Sequence, residues 1–158
     1  MQLTRFTDYS LRTLIYLAMN PGRLVTISEI AEVYRVSENH LMKIVHRLAQ
    51  HGYIETLRGK GGGMRLASAP DSIRLGAVVR DTEEHMDIAE CFNPANRDCP
   101  MLPECALKSA LIAARESFLD TLDTFTLADL VANKKSSDFL VRMPSVRSAT
   151  PKKRRRKT

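Results

Sequence analysis

The order of elements predicted for residues 26–67 constrains the fold more than any other feature of this chain. Two short amphipathic helices precede the segment YIETLRGKGGGMRLA, which predicts two strands joined by a glycine turn. The second helix is predicted to begin after Ser37 and to end at Gly52, because serine caps helix amides and glycine adopts the left-handed conformation of a helix end. A helix pair followed by a hairpin is typical of a winged helix-turn-helix, so the predicted fold class is mainly α with a small β-wing.

The residues before this pair predict one more helix. Within TDYSLRTLIYLAMN, residues 7–20, apolar side chains recur at helical spacing: Leu11, Leu14, Ile15 and Ala18. Pro21 and Gly22 end this helix. The next helix opens with Thr26 and Glu29, a capping box in which each side chain can satisfy a backbone donor of the first turn.

The helix that begins after Ser37 is predicted to have one apolar and one polar face. The apolar positions predict a buried stripe: Leu41, Ile44, Val45 and Leu48. The opposite face is basic and rich in hydrogen-bond donors: Asn39, His40, Lys43, His46, Arg47 and Gln50. These side chains suit a major groove, with Lys43 and Arg47 contacting DNA and Asn39 and His40 near base edges. A solvated helix face is the alternative interpretation.

Basic residues also surround the tip of the predicted hairpin, where glycines allow positive φ and close backbone approach. Such a wing suits backbone phosphates or the minor groove. A nucleotide-binding loop is excluded because no G-x-x-x-x-G-K-[ST] motif is present and the turn precedes a strand. The complete set of predicted DNA-binding residues is Thr26, Ser28, Ser37, Asn39, His40, Lys43, Arg47, Arg58, Lys60, Gly61, Gly62 and Arg65.

Charge is distributed unevenly along the chain. The formal net charge of +6 divides into +4 for residues 1–76, −6 for residues 77–141 and +8 for residues 142–158. The basic front and the basic end favour a negatively charged partner, with nucleic acid first. Residues 136–158 are predicted to form a disordered basic tail, which adds phosphate contacts or serves solubility alone.

Targeting and membrane segments are not predicted. No apolar run approaches the ~18 residues of a membrane span, and no cleavage site follows the partly apolar first helix. We therefore expect a cytoplasmic protein without a membrane partner. Because structural disulfides are rare in the cytoplasm, clustered cysteines there indicate a metal or redox role.

All three cysteines lie in the segment CFNPANRDCPMLPEC, residues 91–105, with gaps of seven and five residues. Structural zinc commonly uses C-x-x-C pairs and four ligands, which this spacing fits poorly. Iron–sulfur clusters accept wider spacing. No histidine lies between Cys91 and Cys105, so a fourth ligand must come from elsewhere, including another subunit. A zinc-braced loop and a thiol-only redox switch remain alternatives.

A long helix is predicted from Glu104 onward, with two apolar stripes. The first has heptad-like spacing: Leu107, Leu111, Ala114, Phe118 and Phe125. The second consists of Ile112, Leu119 and Leu122. We expect one stripe to pack on its own domain and the other on a second subunit, which predicts a homodimer on a palindromic operator. Burial of both stripes within one domain is the alternative. Thr126 is predicted to cap a short closing helix.

The segments RFTDYSLRTLIYLA, SENHLMKIVHRLAQHGYI and RGKGGGMRLA, with three cysteines before a long helix, resemble the NsrR-type nitric-oxide-sensitive repressors. These repressors belong to the wider group that includes the iron–sulfur assembly regulator IscR. The resemblance implies a homodimer with a winged helix-turn-helix in residues 1–76 and a cluster-binding loop with a long dimerisation helix in residues 77–135. It also implies a [4Fe–4S] cluster, with [2Fe–2S] as the alternative, held by Cys91, Cys99, Cys105 and Asp8 of the partner subunit.

The function implied by this resemblance is a transcriptional repressor that releases DNA when nitric oxide attacks its cluster. A regulator that responds to iron–sulfur status is the alternative within the same group. An electron carrier or redox enzyme is disfavoured by the basic helix and wing and by the lack of an acid/base pair or nucleotide loop. Arg12, one helical turn after Asp8, is a candidate to pair with Asp8 or with an acid near the cluster; a surface salt bridge is its alternative role.

Overall fold

The computed structural model describes residues 2–95, 99–102 and 104–132. Its helices are α1 (Arg5–Ala18), α2 (Ile27–Tyr34), α3 (Glu38–Gln50), α4 (Leu75–Thr82), α5 (Ala106–Asp123) and α6 (Leu127–Val131). Two antiparallel strands, β1 (Ile54–Leu57) and β2 (Gly63–Leu66), lie between α3 and α4 in the chain. Short 3-10 turns occupy Pro70–Ser72 and Glu90–Phe92. The predicted tail, residues 136–158, lies outside the described residues.

Side-chain caps begin the helices where the sequence predicted them. The Thr26 hydroxyl accepts the Glu29 N–H at 3.2 Å, and the Ser37 hydroxyl accepts the His40 N–H at 3.3 Å. Gly52, with φ of 74°, follows α3 in the left-handed conformation. Each orphaned amide of a first helical turn that finds such a partner favours the helix by about 1 kcal/mol.

The Glu29 carboxylate has more partners than a capping box provides. It accepts the Tyr16 hydroxyl at 2.6 Å and binds the Arg23 guanidinium. Hydrogen bonding by Arg23 is the main cause that lowers the pKa of Glu29, and the Tyr16 hydroxyl and the Thr26 backbone N–H lower this pKa further. Glu29 therefore ties the start of α2 to α1 and to the turn between the two helices.

The core is formed by α1, α2, α3 and the wing, and α6 closes it. The four α3 residues that the sequence predicted to be inside are all buried: Leu41, Ile44, Val45 and Leu48. In α1, Leu14 is fully buried, whereas the other predicted apolar positions are only partly buried at the edge of this core. Leu127 of α6 is also fully buried. Burying one such leucine contributes about 2 kcal/mol.

The wing is joined to the helix-turn-helix by backbone hydrogen bonds. Ile54 pairs with Leu66 at the base of the two-stranded sheet, and Leu57 pairs with Gly63 near its tip. Met64 also exchanges hydrogen bonds of 2.8 and 3.0 Å with Val25, the residue before the α2 cap. The wing is therefore held against the start of α2 and does not extend freely from the domain.

Helix α4 connects the front of the chain to its end. It packs against both α1 and α5. Its Leu75 N–H donates to the Phe125 carbonyl at 3.0 Å, and Arg80 forms an ion pair of 2.6 Å with Asp123. The predicted domain boundary after residue 76 falls inside α4, so the two predicted units share this helix.

Helix α5 is 18 residues long and packs against α4. Leu119 is its one buried residue, so most of its apolar surface is left open to solvent in the single chain. Together with the two-stranded wing, these helices confirm the predicted fold class. In the part of the chain that the structure describes, we find no helix with the length and hydropathy needed to span a bilayer.

Candidate DNA-binding surface and thiol segment

The first turns of α2 and α3 border one cleft together with the wing. Thr26, Ser28 and Glu38 lie on its helical side, and Gly62 and Gly63 lie on its wing side, around a volume of about 320 Å³. The Thr26 and Ser28 hydroxyl oxygens are 3.1 Å apart and exposed. Amides and hydroxyls at helix N-termini suit phosphate oxygens. This cleft therefore brings together residues from three of the predicted DNA-binding segments.

The predicted polar face of α3 divides into two parts. Near its start, the side chains of Asn39 and Lys43 are exposed. Farther along, Lys43, His46, Arg47 and Gln50 border a groove of about 520 Å³ whose other wall is formed by the start of α1 and residues 82–85. Arg47 donates from Nε to the Asp81 carbonyl at 3.1 Å. In this part of the face Arg47 contacts the rest of the domain, whereas His46 and Gln50 are exposed along the groove.

His40 does not point away from the domain. Its ring packs edge-on against Phe6 and Tyr9 of α1, with centroids 6.3 and 5.7 Å apart. Its Nε2 is buried, and we find no hydrogen-bond partner for it among the described residues. The expected outward orientation of His40 is therefore wrong, because α1 crosses α3 at this position. A base contact by His40 stays a prediction that the packing against α1 does not favour.

Glycines shape the tip of the wing, but not all in the expected way. Of Gly61, Gly62 and Gly63, which were expected to allow positive φ, only Gly61 adopts it, at 83°, and Gly59, which the sequence did not single out, has φ of 102°. A β-carbon on Gly62 would collide with the Leu57 carbonyl oxygen, so only glycine fits this turn. The tip can therefore bring its backbone close to a ligand.

The three basic residues of the wing differ in their contacts. Arg58 and Lys60 are exposed at the tip. Arg65 lies on β2 and donates to the Glu55 carboxylate across the sheet at 2.9 and 3.1 Å. Both partners of this pair are about half exposed, at 59% and 51%, so the pair is weak and solvent-screened. Arg65 can therefore be drawn from Glu55 to a phosphate at little cost.

Asp8 and Arg12 form the predicted pair on α1. Arg12 donates from Nε to Asp8 Oδ1 at 2.9 Å, and the two side chains are 48% and 45% exposed. The guanidinium also lies over the rings of Tyr9 and Tyr34, at 5.5 and 5.9 Å from their centroids. Burial is the main cause that raises the pKa of Tyr34 to about 12, so its hydroxyl stays neutral. The Asp8 carboxylate is thus oriented by Arg12 on an accessible helix surface.

The thiol segment lies between α4 and α5. Cys91 and Cys105 are half-buried, Cys99 is exposed, and all three are free of disulfides. Cys105 is the N-cap residue of α5, and the Arg115 guanidinium covers the Phe92 ring at 5.2 Å, which anchors the start of the segment to that helix. Among the described residues, no three His, Cys, Asp or Glu side chains come close enough together to hold a metal ion.

Two acidic residues that sequence reasoning missed connect the end of α4 to the helix-turn-helix. Glu83 is 9% exposed and accepts the Thr4 N–H at 2.6 Å, at the cap of α1. Asp81 accepts the Tyr53 hydroxyl at 2.6 Å. Their partners are 79 and 28 residues away in the chain. Such distant contacts cannot be predicted from local sequence. The only local signal is that two acidic residues lie at the end of α4 and just after it.

Comparison with known proteins gives a family match over almost the whole described chain. Residues 3–133 match the Rrf2 model, described as an iron-dependent transcriptional regulator. The HTH-type transcriptional regulator NsrR of Bacillus subtilis (strain 168) is 50% identical over 144 residues, which cover 90% of this chain and 99% of that relative. The NsrR of Geobacillus kaustophilus is 46% identical over 143 residues, covering 90% and 97%.

Solved structures show the same architecture. The global cysteine regulator CymR of B. subtilis aligns with a TM-score of 0.67 at 28% identity, covering 84% of this chain and 97% of its own. IscR of T. potens aligns with a TM-score of 0.68 at 23% identity, covering 91% and 93%. At that identity the likeness to IscR shows the fold alone.

Proposed function

Because the chain belongs to the Rrf2 family of iron-dependent transcriptional regulators, we propose that it represses transcription by binding an inverted-repeat operator as a homodimer. We further propose that an iron–sulfur cluster makes this binding sensitive to nitric oxide. The relatives are named transcriptional regulators, so the chain is a DNA-binding regulator and not an enzyme. In this proposal residues 1–76 bind DNA, and residues 77–135 bind the cluster and the second subunit.

The observation that carries the proposal is the high identity to named regulators, and the exposed polar start of α3 beside a basic wing supports it. The identity to proteins named NsrR is 43–50% over most of the chain. The start of α3, with exposed Asn39 and Lys43, lies beside a wing whose tip exposes Arg58 and Lys60. A capped helix beside a basic wing matches the docking geometry of winged DNA-binding domains.

The donor set of the thiol segment suits an iron–sulfur cluster. Thiolates are the usual ligands of such clusters, and Cys91, Cys99 and Cys105 are all free and at least partly accessible. Because no three such side chains gather among the described residues, we propose that Cys91, Cys99 and Cys105 come together when they bind the cluster. When bound, the cluster supplies iron that reacts with nitric oxide.

Asp8 is the proposed fourth ligand, given from one subunit to the thiols of the other. Its carboxylate lies on the surface of α1 and its partner in the single chain is Arg12, at 2.9 Å. Such an exposed i,i+4 pair contributes only about 0.5 kcal/mol, so it can be exchanged for a metal bond. Arg12 would then remain beside the ligand and orient its second oxygen.

The open face of α5 supports the proposed dimer. Leu107 and Ile112 of α5 and Phe125 just beyond it are 65%, 37% and 47% exposed, although they belong to the two predicted apolar stripes. The helix ends at Asp123 and does not reach Phe125, as the predicted stripe required. An apolar surface along a helix of this length marks an interaction site in a chain that is otherwise well packed. A second copy that packs there would place two α3 helices on one side of the dimer for an inverted repeat.

The test is a gel shift with anaerobically purified protein and a duplex selected by that protein from a random pool. We expect the selected duplex to contain an inverted repeat, and we expect the addition of nitric oxide to weaken binding at least tenfold. A Cys99→Ser variant, shown by iron analysis to lack the cluster, should bind like the nitric-oxide-treated protein. Equal affinity of this variant and the wild type would disprove the coupling between cluster and DNA.

A visible absorption spectrum distinguishes an iron–sulfur cluster from zinc, the rival metal for the thiol segment. An iron–sulfur protein is brown, whereas a zinc-braced thiol segment gives a colourless sample. A thiol-only switch would respond to peroxide in iron-free protein. A colourless, zinc-containing protein that still binds DNA would leave the regulator intact and remove the proposed cluster.

A further inference from the structure

The end of α4 is held by three residues that follow or belong to the DNA-binding helix. Tyr53, just before β1, donates its hydroxyl to Asp81 Oδ2 at 2.6 Å. His51 Nδ1 lies 3.4 Å from the same oxygen, and the His51 and Tyr53 rings stack at 6.5 Å. Arg47 donates to the Asp81 carbonyl at 3.1 Å. We call Asp81 together with Arg47, His51 and Tyr53 the Asp81 clamp.

The clamp provides hydrogen-bond partners for the last turn of α4 and for the Tyr53 hydroxyl. The last carbonyls of a helix have no partner within the helix, and a cation there is favoured by the helix dipole. Arg47 fills this role for α4 at the Asp81 carbonyl. Burial and the bond to Asp81 raise the pKa of the Tyr53 hydroxyl, so Tyr53 stays a donor over the working pH range.

The same turn of chain also contacts α1. Two residues after Asp81, the nearly buried Glu83 accepts the Thr4 N–H at 2.6 Å. Seven residues separate Glu83 from Cys91, the first residue of the thiol segment. The end of α4 is thus tied both to the end of α3 and to the start of α1 before the chain enters that segment.

The geometry points to Asp81 as the residue that sets the position of α3 relative to α4, with Arg47 as a positioning residue of this clamp and not a phosphate contact. This inference reassigns Arg47, which the sequence placed among the DNA-binding residues. It rests on the proposed function only in that DNA affinity is one of its two readouts.

Salt dependence of DNA binding distinguishes the two roles of Arg47. Log affinity falls as log salt rises, and each lost phosphate contact makes this negative slope shallower by about 0.9. With the selected duplex, Lys43→Ala is the matched control and should lower the affinity and make the slope shallower. We expect Arg47→Ala and Asp81→Ala to weaken binding about tenfold, equivalent to about 1.4 kcal/mol, with an unchanged slope. A shallower slope for Arg47→Ala would overturn its assignment as a positioning residue, and wild-type affinity for Asp81→Ala would overturn the role of the Asp81 carboxylate, since this variant keeps the carbonyl that Arg47 contacts.

Conservative variants exclude a general loss of folding. Asp81→Asn keeps an acceptor for Tyr53 and should recover most of the affinity, whereas Asp71→Ala, an exposed aspartate before α4, should bind like the wild type. Tyr53→Phe added to Asp81→Ala should cause no further loss, because both changes remove the same hydrogen bond. Additive losses would show that the two residues act separately and would overturn the clamp.

Hydrogen exchange supplies the readout that needs neither DNA nor cluster. In Asp81→Ala, amides of residues 47–53 should exchange about tenfold faster than in the wild type, while those of α2 keep their rates. If no duplex is selected by the wild type, the proposed function fails, but this measurement still tests the clamp. Unchanged exchange in residues 47–53 would overturn it.

Discussion

Single residues in this protein act through partners that are far away in the chain. The sequence predicts that Glu29 caps a helix, and in the structure its carboxylate also accepts hydrogen bonds from Tyr16 and Arg23. The sequence predicts that His40 faces DNA, whereas in the structure its ring lies against two aromatic rings of α1. In both cases the residue type follows from local sequence, but the contact depends on where α1 crosses the helix pair.

The network of Glu29 predicts a pH-dependent stability. Because its folded pKa is lowered, Glu29 contributes stability above its unfolded pKa of about 4.3, and this contribution is lost as the pH falls through the folded value. We expect Glu29→Gln to lower the free energy of unfolding by about 1–2 kcal/mol at pH 7. The difference from the wild type should shrink as denaturant titrations are repeated toward pH 3.

The exposed Glu32 on the same helix is the matched control for this prediction. Glu32→Gln should leave the free energy of unfolding nearly unchanged at each pH. A destabilisation by Glu29→Gln that persists undiminished at pH 3 would show that shape, and not the carboxylate charge, explains the effect.

A second prediction at the residue scale concerns the effect of a side chain at Gly62 on stability. Its missing side chain is required because a β-carbon would meet backbone atoms of the turn: Leu57 O, Gly59 O and Arg58 C. Gly62→Ala should destabilise the domain by about 1–3 kcal/mol and weaken DNA binding. Lys60→Ala, at the same tip, should weaken DNA binding without changing the thermal midpoint. A Gly62→Ala protein with the wild-type midpoint would contradict this geometry.

At the scale of elements, α5 carries more apolar surface than a single chain buries. Its second stripe packs inward through Leu119, which is 5% exposed, whereas Leu107 of the first stripe is 65% exposed. Ile112 of the second stripe is 37% exposed, so only part of that stripe packs inward, and the packing of the first stripe on a second subunit stays a prediction. The prediction overlooked α4, which supplies the inward partner, although its buried residues Leu75, Val78, Val79 and Thr82 recur at helical spacing.

The open stripe of α5 gives a direct test of the dimer. Leu107→Glu places a charge in the proposed interface and should convert the dimer to a monomer in sedimentation equilibrium. Ser109→Glu, on another side of the same helix, should remain dimeric. A dimeric Leu107→Glu protein would indicate that the second subunit packs elsewhere.

For the whole molecule, the proposed site requires residues from two chains. Cys99→Ser protein lacks a thiol, and Asp8→Ala protein lacks the carboxylate, so each alone should bind its cluster poorly. Mixing the two before reconstitution forms heterodimers in which one of two sites is complete. We expect the mixture to recover about a quarter of the wild-type iron–sulfur absorbance.

Subunit exchange of two Cys99→Ser preparations is the control for this mixing experiment, and it should recover nothing. Recovery would also be absent from the main mixture if Asp8 served the thiols of its own chain. Full cluster occupancy in Asp8→Ala protein alone would remove Asp8 from the ligand set.

The sequence by itself determined the helices with clear caps, the buried stripe of α3, the glycine-dependent wing and the family. These features are encoded by neighbours a few residues apart, whose spacing and backbone preferences act locally. The tertiary structure alone decided that His40 faces α1 and that Arg47, His51 and Tyr53 hold Asp81. Contacts across 28 or 34 residues depend on how whole helices pack, and side-chain chemistry suits several partners until packing selects one.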